Sequence, residues 1–395
     1  MSQYHYEYCW SEKAQLDIKK KIATLLINEN LILVTGAGFS NNFNYPLWEK
    51  FLDDLKTFCH VKIDKNTLKF NGILNCLKYA QAIYDEADKN NFVNFVSESF
   101  DPCKCKKPID DFYQTLILLG FCGFATLNYD HTLEIIIDNY VPGNRTEPIN
   151  FCGSDREILI RNFLNNATKK ENNFRYVLHL HGVYNAPSSI ILTQSSYEKW
   201  YLNGSVTVLI RLVDTLEKEL KNNPPLFGKV SEMKRRIQMM YSDNTLQSLH
   251  KKVIWTLFAR YHLFFMGFST DDTFFMNLLN VVINDFMLPK PPEHFVLASY
   301  DSIESEADEQ KNEEINRKKE EICDKMLNRG IMPIFYPAKN HNYEQGLQEF
   351  ILEIESLKTQ VQSDKKEQSP LKKRKTSLHH DKTIDDITSF TMGLK

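Results

Sequence analysis

Residues 31–40 read Leu31-Ile32-Leu33-Val34-Thr35-Gly36-Ala37-Gly38-Phe39-Ser40. The first five carry no charge and suit a parallel strand covered on both faces. Gly36 and Gly38 let the chain turn tightly and remove the β-carbons that would keep a pyrophosphate away from the backbone. A helix is expected next, with its N–H groups and positive dipole end facing the phosphates and Ser40 adding a hydrogen bond. Asn41 stands where the full dinucleotide fingerprint has a third glycine, so the match is partial. A Gly-x-Gly after a strand is also an ordinary tight turn.

Apolar runs of strand length recur at Phe124–Leu127, Tyr176–Leu180, Ser189–Thr193, Leu263–Phe268, His294–Ser299 and Ile331–Tyr336, with stretches of helical period between most of them. This alternation predicts an α/β fold, a doubly wound, mostly parallel Rossmann-like sheet that takes ligands at the carboxyl ends of its strands. Four runs end in polar or glycine turns: at 36–40, at Asn128-Tyr129-Asp130-His131, at His181-Gly182-Val183-Tyr184, and at 267–272 (Gly-Phe-Ser-Thr-Asp-Asp). One site built from several strand ends is expected to read this way. Residues 1–30 carry an N-terminal helix with Leu16, Ile22, Leu25 and Leu26 on one side, and residues 31–357 form the Rossmann domain. Helical inserts interrupt it at about 46–121 and 196–250. The second holds a helix breaker at Asn222-Asn223-Pro224-Pro225 and the basic Lys234-Arg235-Arg236, which reads as a solvated helix face. Residues 358–395 turn polar and basic and read as a disordered tail.

At 395 residues with 42% hydrophobic content the chain can bury a sizeable core, and a net charge of -3 gives no whole-chain field for nucleic acid. No apolar run approaches the roughly 20 residues of a membrane span, and the start Met-Ser-Gln-Tyr-His-Tyr has no signal-peptide character. A soluble, cytoplasmic protein is expected, nuclear instead if the Leu371-Lys372-Lys373-Arg374-Lys375 cluster serves as an address in a host with a nucleus. The eight cysteines include no Cys-x-x-Cys pair, so buried or idle thiols are the default. Cys103-Lys104-Cys105 could join Cys122 or Cys152 in a metal site, but an exposed loop is the reading preferred, and the expectation is no metal.

The set Gly36-Ala37-Gly38-Phe39-Ser40, Thr126-Leu127-Asn128-Tyr129-Asp130, Leu180-His181-Gly182 and Gly267-x-Ser269-x-x-Asp272, in that order, resembles the sirtuin-like superfamily of NAD-consuming proteins. It is most similar to the branch that includes bacterial antiphage NAD hydrolases. Ile190-Ile191-Leu192-Thr193 followed by Tyr197 extends the resemblance, which spans roughly residues 30–345. It implies that Gly36, Ala37, Gly38 and Ser40 hold the NAD phosphates and that Asn128 positions the nicotinamide ribose and the attacking water. Asp130 would brace that loop, His181 would act as base, and Gly267 and Ser269 would line the adenosine half. Histidine titrates near neutrality, and an uncharged amide orients water without burying a charge. His179 alternates with His181 along its strand, points to the opposite face and reads as structural.

Protein-deacylating sirtuins carry two Cys-x-x-Cys pairs and a Gly-Ile-Pro-Asp-Phe-Arg loop after the glycine turn. Here the pairs are missing and the loop is Asn41-Asn42-Phe43-Asn44-Tyr45-Pro46-Leu47-Trp48. The resemblance to the antiphage branch implies an NAD glycohydrolase giving nicotinamide and ADP-ribose, with a role in antiviral or immune defence. Gating would come through a homo-oligomer or filament, an activating protein, or a bound nucleotide. Its rivals are a non-catalytic module that binds NAD or ADP-ribose and assembles, and an NAD-dependent deacylase or ADP-ribosyltransferase.

Overall fold

The computed structural model describes residues 9–70, 73–104, 108–141, 143, 145–152, 156–166, 176–201, 230, 249–268, 293–302, 309–327, 330–339 and 343–368. Its strands are β1 (Leu31–Thr35), β2 (Lys69–Phe70), β3 (Ile73–Leu74), β4 (Gly123–Thr126), β5 (Glu147–Ile149), β6 (Tyr176–His179), β7 (His262–Met266), β8 (His294–Ser302) and β9 (Ile331–Lys339). Seven of them form one parallel sheet in the order β5-β6-β4-β1-β7-β8-β9, while β2 and β3 make a separate antiparallel hairpin. The order runs outward from β1 in both directions, to β4 on one side and β7 on the other. The crevice at the carboxyl ends of β1 and β7 is thus a topological switch point, where open α/β sheets take their ligands.

Strand β1 is buried at all five residues. Leu31 and Leu33 belong to one hydrophobic cluster and Ile32 and Val34 to the other, because successive side chains leave a strand on opposite faces. On the first face lie α1 (Glu12–Ile27), α3 (Trp48–Phe58), α4 (Cys76–Glu86), α5 (Lys89–Ser99), α6 (Phe112–Leu118), α7 (Thr132–Tyr140) and α12 (Tyr343–Gln368). On the second lie α8 (Arg156–Asn166), α9 (Gln194–Tyr201), α10 (Leu249–Arg260) and α11 (Glu309–Leu327). A single turn, α2 (Ala37–Asn41), follows β1. Burial of each Leu, Ile, Val or Phe contributes roughly 1.5–3 kcal/mol, so two clusters of this size hold the sheet rigid between its layers.

Local chemistry sets the helix starts. Ser11 caps α1 by accepting from the Ala14 N–H at 3.3 Å, and Asp88 caps α5 by accepting from the N–H groups of Asn90 and Asn91 at 3.0 Å each. Helix α1 docks on the far edge of the sheet, where the Gln15 side chain accepts from the Phe335 N–H at 2.9 Å and donates to Pro333 O at 3.3 Å.

Five features depart from the sequence expectations. Ser189–Thr193 is not a strand: residues 187–189 form a 3-10 turn and Ile190–Thr193 lead into α9. The strand that fills the sheet instead is β5, a three-residue edge strand containing Pro148, where a missing N–H costs no internal ladder bond. The 46–121 insert is helical as expected apart from the β2–β3 hairpin, and α12 carries on to Gln368, past the boundary expected at 358. Cys9 and Cys323 are joined by a disulfide rather than idle. The basic residues 234–236 and 371–375 and most of the 196–250 insert lie outside the described residues.

Candidate functional site

The turns after β1 and β7 are pressed together. The Gly36 N–H donates to Met266 O at 2.9 Å, and the Gly38 N–H donates to Gly267 O at 2.9 Å. A Cβ on Gly36 would lie 2.6 Å from Gly267 O and 2.9 Å from Phe268 Cα. Gly267 itself has φ +63°, and a Cβ there would lie 2.1 Å from the Phe39 nitrogen. The glycines of the first turn therefore make room for the neighbouring turn. Their two N–H groups are committed to it, so neither is available as the phosphate donor that the sequence reading expected. Ala37 is exposed between them and presents the open side of the turn.

Asn128 follows β4 and is held by four contacts at three of its atoms. Its backbone N–H donates to Thr126 Oγ1 at 3.0 Å, and its backbone carbonyl meets His179 Nδ1 at 3.0 Å. Its side-chain Nδ2 donates to Gly36 O at 2.9 Å and to Ser40 Oγ at 2.7 Å. With both amide protons committed, the orientation of the amide is fixed, and Oδ1 is the side-chain atom left to meet a ligand. Ser40 is buried and passes its own proton to Asp130 Oδ1 at 3.0 Å. It joins Asn128 to Asp130 instead of reaching outward to a phosphate, contrary to the role expected for it. Asp130 also accepts from the Thr132 N–H at 3.0 Å, which pins the start of α7. Burial raises the Asp130 carboxyl above the usual carboxylate range, against the hydrogen bonds from Thr132 and Ser40 that lower it.

His181 follows β6, next to β4 in the sheet, and the chain is tied there by the Leu180 N–H donating to Thr126 O at 2.8 Å. Its ring is buried, with Nδ1 3.3 Å from the Tyr197 hydroxyl, and Tyr197 stacks on Trp48. Burial, with a smaller contribution from nearby His250, pushes His181 down to about 3. The near-neutral titration expected of it is thus overturned: the ring stays neutral across the physiological range, able to accept a hydrogen bond but a weak base. His179 lies between Asn128 O and Glu134 Oε1, the latter 2.6 Å from Nε2. Burial alone would lower His179, but the Glu134 charge and hydrogen bond outweigh it and raise it.

The structure thus brings Gly36, Gly38, Gly267, Ser40, Asn128 and Asp130 into one bonded unit at the switch point, with Ala37 on its open side and His181 on the adjoining strand end. Ser269 and Asp272 lie outside the described residues. Glu134 and Thr126 were missed as supports. The sequence signal for Glu134 was an acidic residue in the first turn after the Asn128 loop, which by itself reads as favouring the helix dipole.

The model of the SIR2-like domain family matches residues 123–322, about half of the chain, and takes in Asn128, Asp130, His181 and Gly267. The chain belongs to that family. Membership gives it a sirtuin-like, NAD-related function, and the all-parallel sheet, with its switch-point crevice at the carboxyl ends of β1 and β7, suits that ligand. The glycine turn of residues 36–40 precedes the matched stretch and rests on the geometry given above. No curated protein matches the chain.

Proposed function

We propose that the protein hydrolyses NAD to nicotinamide and ADP-ribose. The observation that carries this reading is the immobilised amide of Asn128, whose N–H groups are spent on Gly36 O and Ser40 Oγ and whose Oδ1 is left at the strand end. In the reaction the bond between ribose C1′ and the pyridinium nitrogen breaks, and nicotinamide departs neutral with the bonding pair. Water adds its oxygen to C1′ and gives up a proton. No acid is needed for such a leaving group, so the barrier is met by holding water and ribose in place in a water-poor pocket. In this proposal Asn128 Oδ1 accepts from the attacking water or a ribose hydroxyl. His181, neutral and with Nδ1 against the Tyr197 hydroxyl, helps shape the strand end beside it.

The low basicity of buried His181 also favours a second reading, in which the site binds NAD or ADP-ribose without cleaving it. Chromatography of NAD incubated with purified protein separates the two, since only the first yields nicotinamide. Self-association is the gate we assign to the hydrolase, in the cytoplasm and, on the resemblance to antiphage NAD hydrolases, in defence. Leu47, Phe58 and Leu118, all exposed, stand on the 46–121 insert and suit an interface there. Turnover per chain should then rise with protein concentration alongside an oligomer seen by light scattering. Full turnover by a monomer would remove the gate from the proposal.

A further inference from the structure

His131, Glu134 and His179 lie together behind the Asn128 loop, with one ligand-type atom from each within 4.8 Å of the others. His131 and Glu134 are i, i+3 at the start of α7, and His179 comes from β6. The carbonyl of Asn128 can only accept, so its 3.0 Å contact fixes a proton on His179 Nδ1. In neutral His179 the lone pair then sits on Nε2 and faces Glu134 Oε1 at 2.6 Å. Two acceptors cannot share that distance without a cation between them. A proton meets the need of this one pair of atoms. It leaves Glu134 Oε2 and His131 Nε2, both buried and without a hydrogen-bond partner among the described residues, unaccounted for, and buried orphan atoms of this kind are a mark of an ion or a water.

We propose that His131, Glu134 and His179 form a binding site for a divalent cation of the zinc class. Two imidazoles and one carboxylate are a ligand set that zinc accepts with a fourth position open, and imidazole selects against magnesium and calcium. The Asn128 carbonyl is the outer partner that fixes tautomer and ring orientation in such a ligand. Zinc–ligand bonds of about 2.0–2.1 Å place tetrahedral ligands roughly 3.3 Å apart, so Nε2 and Oε1 separate slightly while the third ligand draws in. The ion displaces the proton held between His179 and Glu134, so binding releases about one proton per ion where that proton is present. Bound there, it ties the loop carrying Asn128 and Asp130 to β6. The site departs from the expectation of no metal, which came from cysteine spacing alone.

The test uses the full chain without a histidine tag, stripped with chelator, and zinc alone as the probe in titration calorimetry near pH 7. The expected result is one saturable equivalent per chain, with proton release shown by repeating the titration in buffers of different ionisation enthalpy. His131→Ala, at a partly exposed position, and Glu134→Gln should each weaken binding at least tenfold. His262→Ala, on β7, should bind as the wild type does. No saturable binding by the wild type, or His131→Ala binding as tightly as wild type, overturns the site. If Glu134→Gln does not fold, His131→Ala decides alone, because it leaves the Glu134–His179 contact in place.

Discussion

Replacing Gly36 by alanine tests whether the first glycine turn serves the neighbouring strand end before it serves a ligand. The added methyl would sit 2.6 Å from Gly267 O, 2.9 Å from Phe268 Cα and 3.1 Å from Gly267 C. None of these atoms can retreat as a flexible side chain would. Gly267 O accepts from the Gly38 N–H, and Gly267 is held at φ +63° against the Phe39 nitrogen. Overpacking typically costs about 1–3 kcal/mol, and backbone on the receiving side puts this case at the top of that range. Loss of the 2.9 Å bond from Gly36 to Met266 would add about 1 kcal/mol. At roughly 2 °C per kcal/mol for a large domain, Tm should fall by about 8 °C. Differential scanning calorimetry of Gly36→Ala, beside Ala37→Ser as an exposed control on the same turn, measures it. An unchanged Tm with lost ADP-ribose binding would show that the glycine clears space for the ligand and would refute the packing argument.

Acid should destabilise the fold through its buried histidines. His181 and His294 are both pushed by burial to about 3, against an ordinary value of about 6.5. The unfolded chain therefore takes up protons that the folded chain refuses. Their contribution is full above pH 6.5 and is lost as pH falls from there toward 3. His179 works in the opposite sense: raised in the fold, it stabilises below pH 6.5 and loses that contribution as pH rises through its folded value. Between pH 7 and 5, Tm should drop less in His294→Gln than in wild type; parallel profiles would remove His294 from the account.

Much of the fold was legible because its signals are local. An uncharged five-residue run followed by glycine marks β1, and the helical period marks the insert of α3 to α6. The errors fall where tertiary context decides. Ile190–Leu192 are as apolar as a strand, yet the N–H groups of Leu192 and Thr193 go to Ser196 Oγ, and that of Ile191 goes to His181 O. The short β5 carries a proline and a glutamate and gives almost no strand signal. At the site, residue identities were legible but their bonds were not. Ser40 reaches across 90 positions to Asp130, and His179 reaches across 45 to Glu134. The weak basicity of His181 follows from burial, which no pattern along the chain records.

The central claim is that an immobilised amide at the end of β4 serves NAD cleavage. The direct measurement is nicotinamide and ADP-ribose released from NAD by wild type and by Asn128→Ala, at matched concentration and with matched circular dichroism. Loss of a positioning group in a preorganised site commonly costs about 10²–10³ in rate. The account predicts turnover by wild type and a fall of that size in the variant. No nicotinamide from wild type at any concentration, or a variant within about tenfold of wild type, would contradict it.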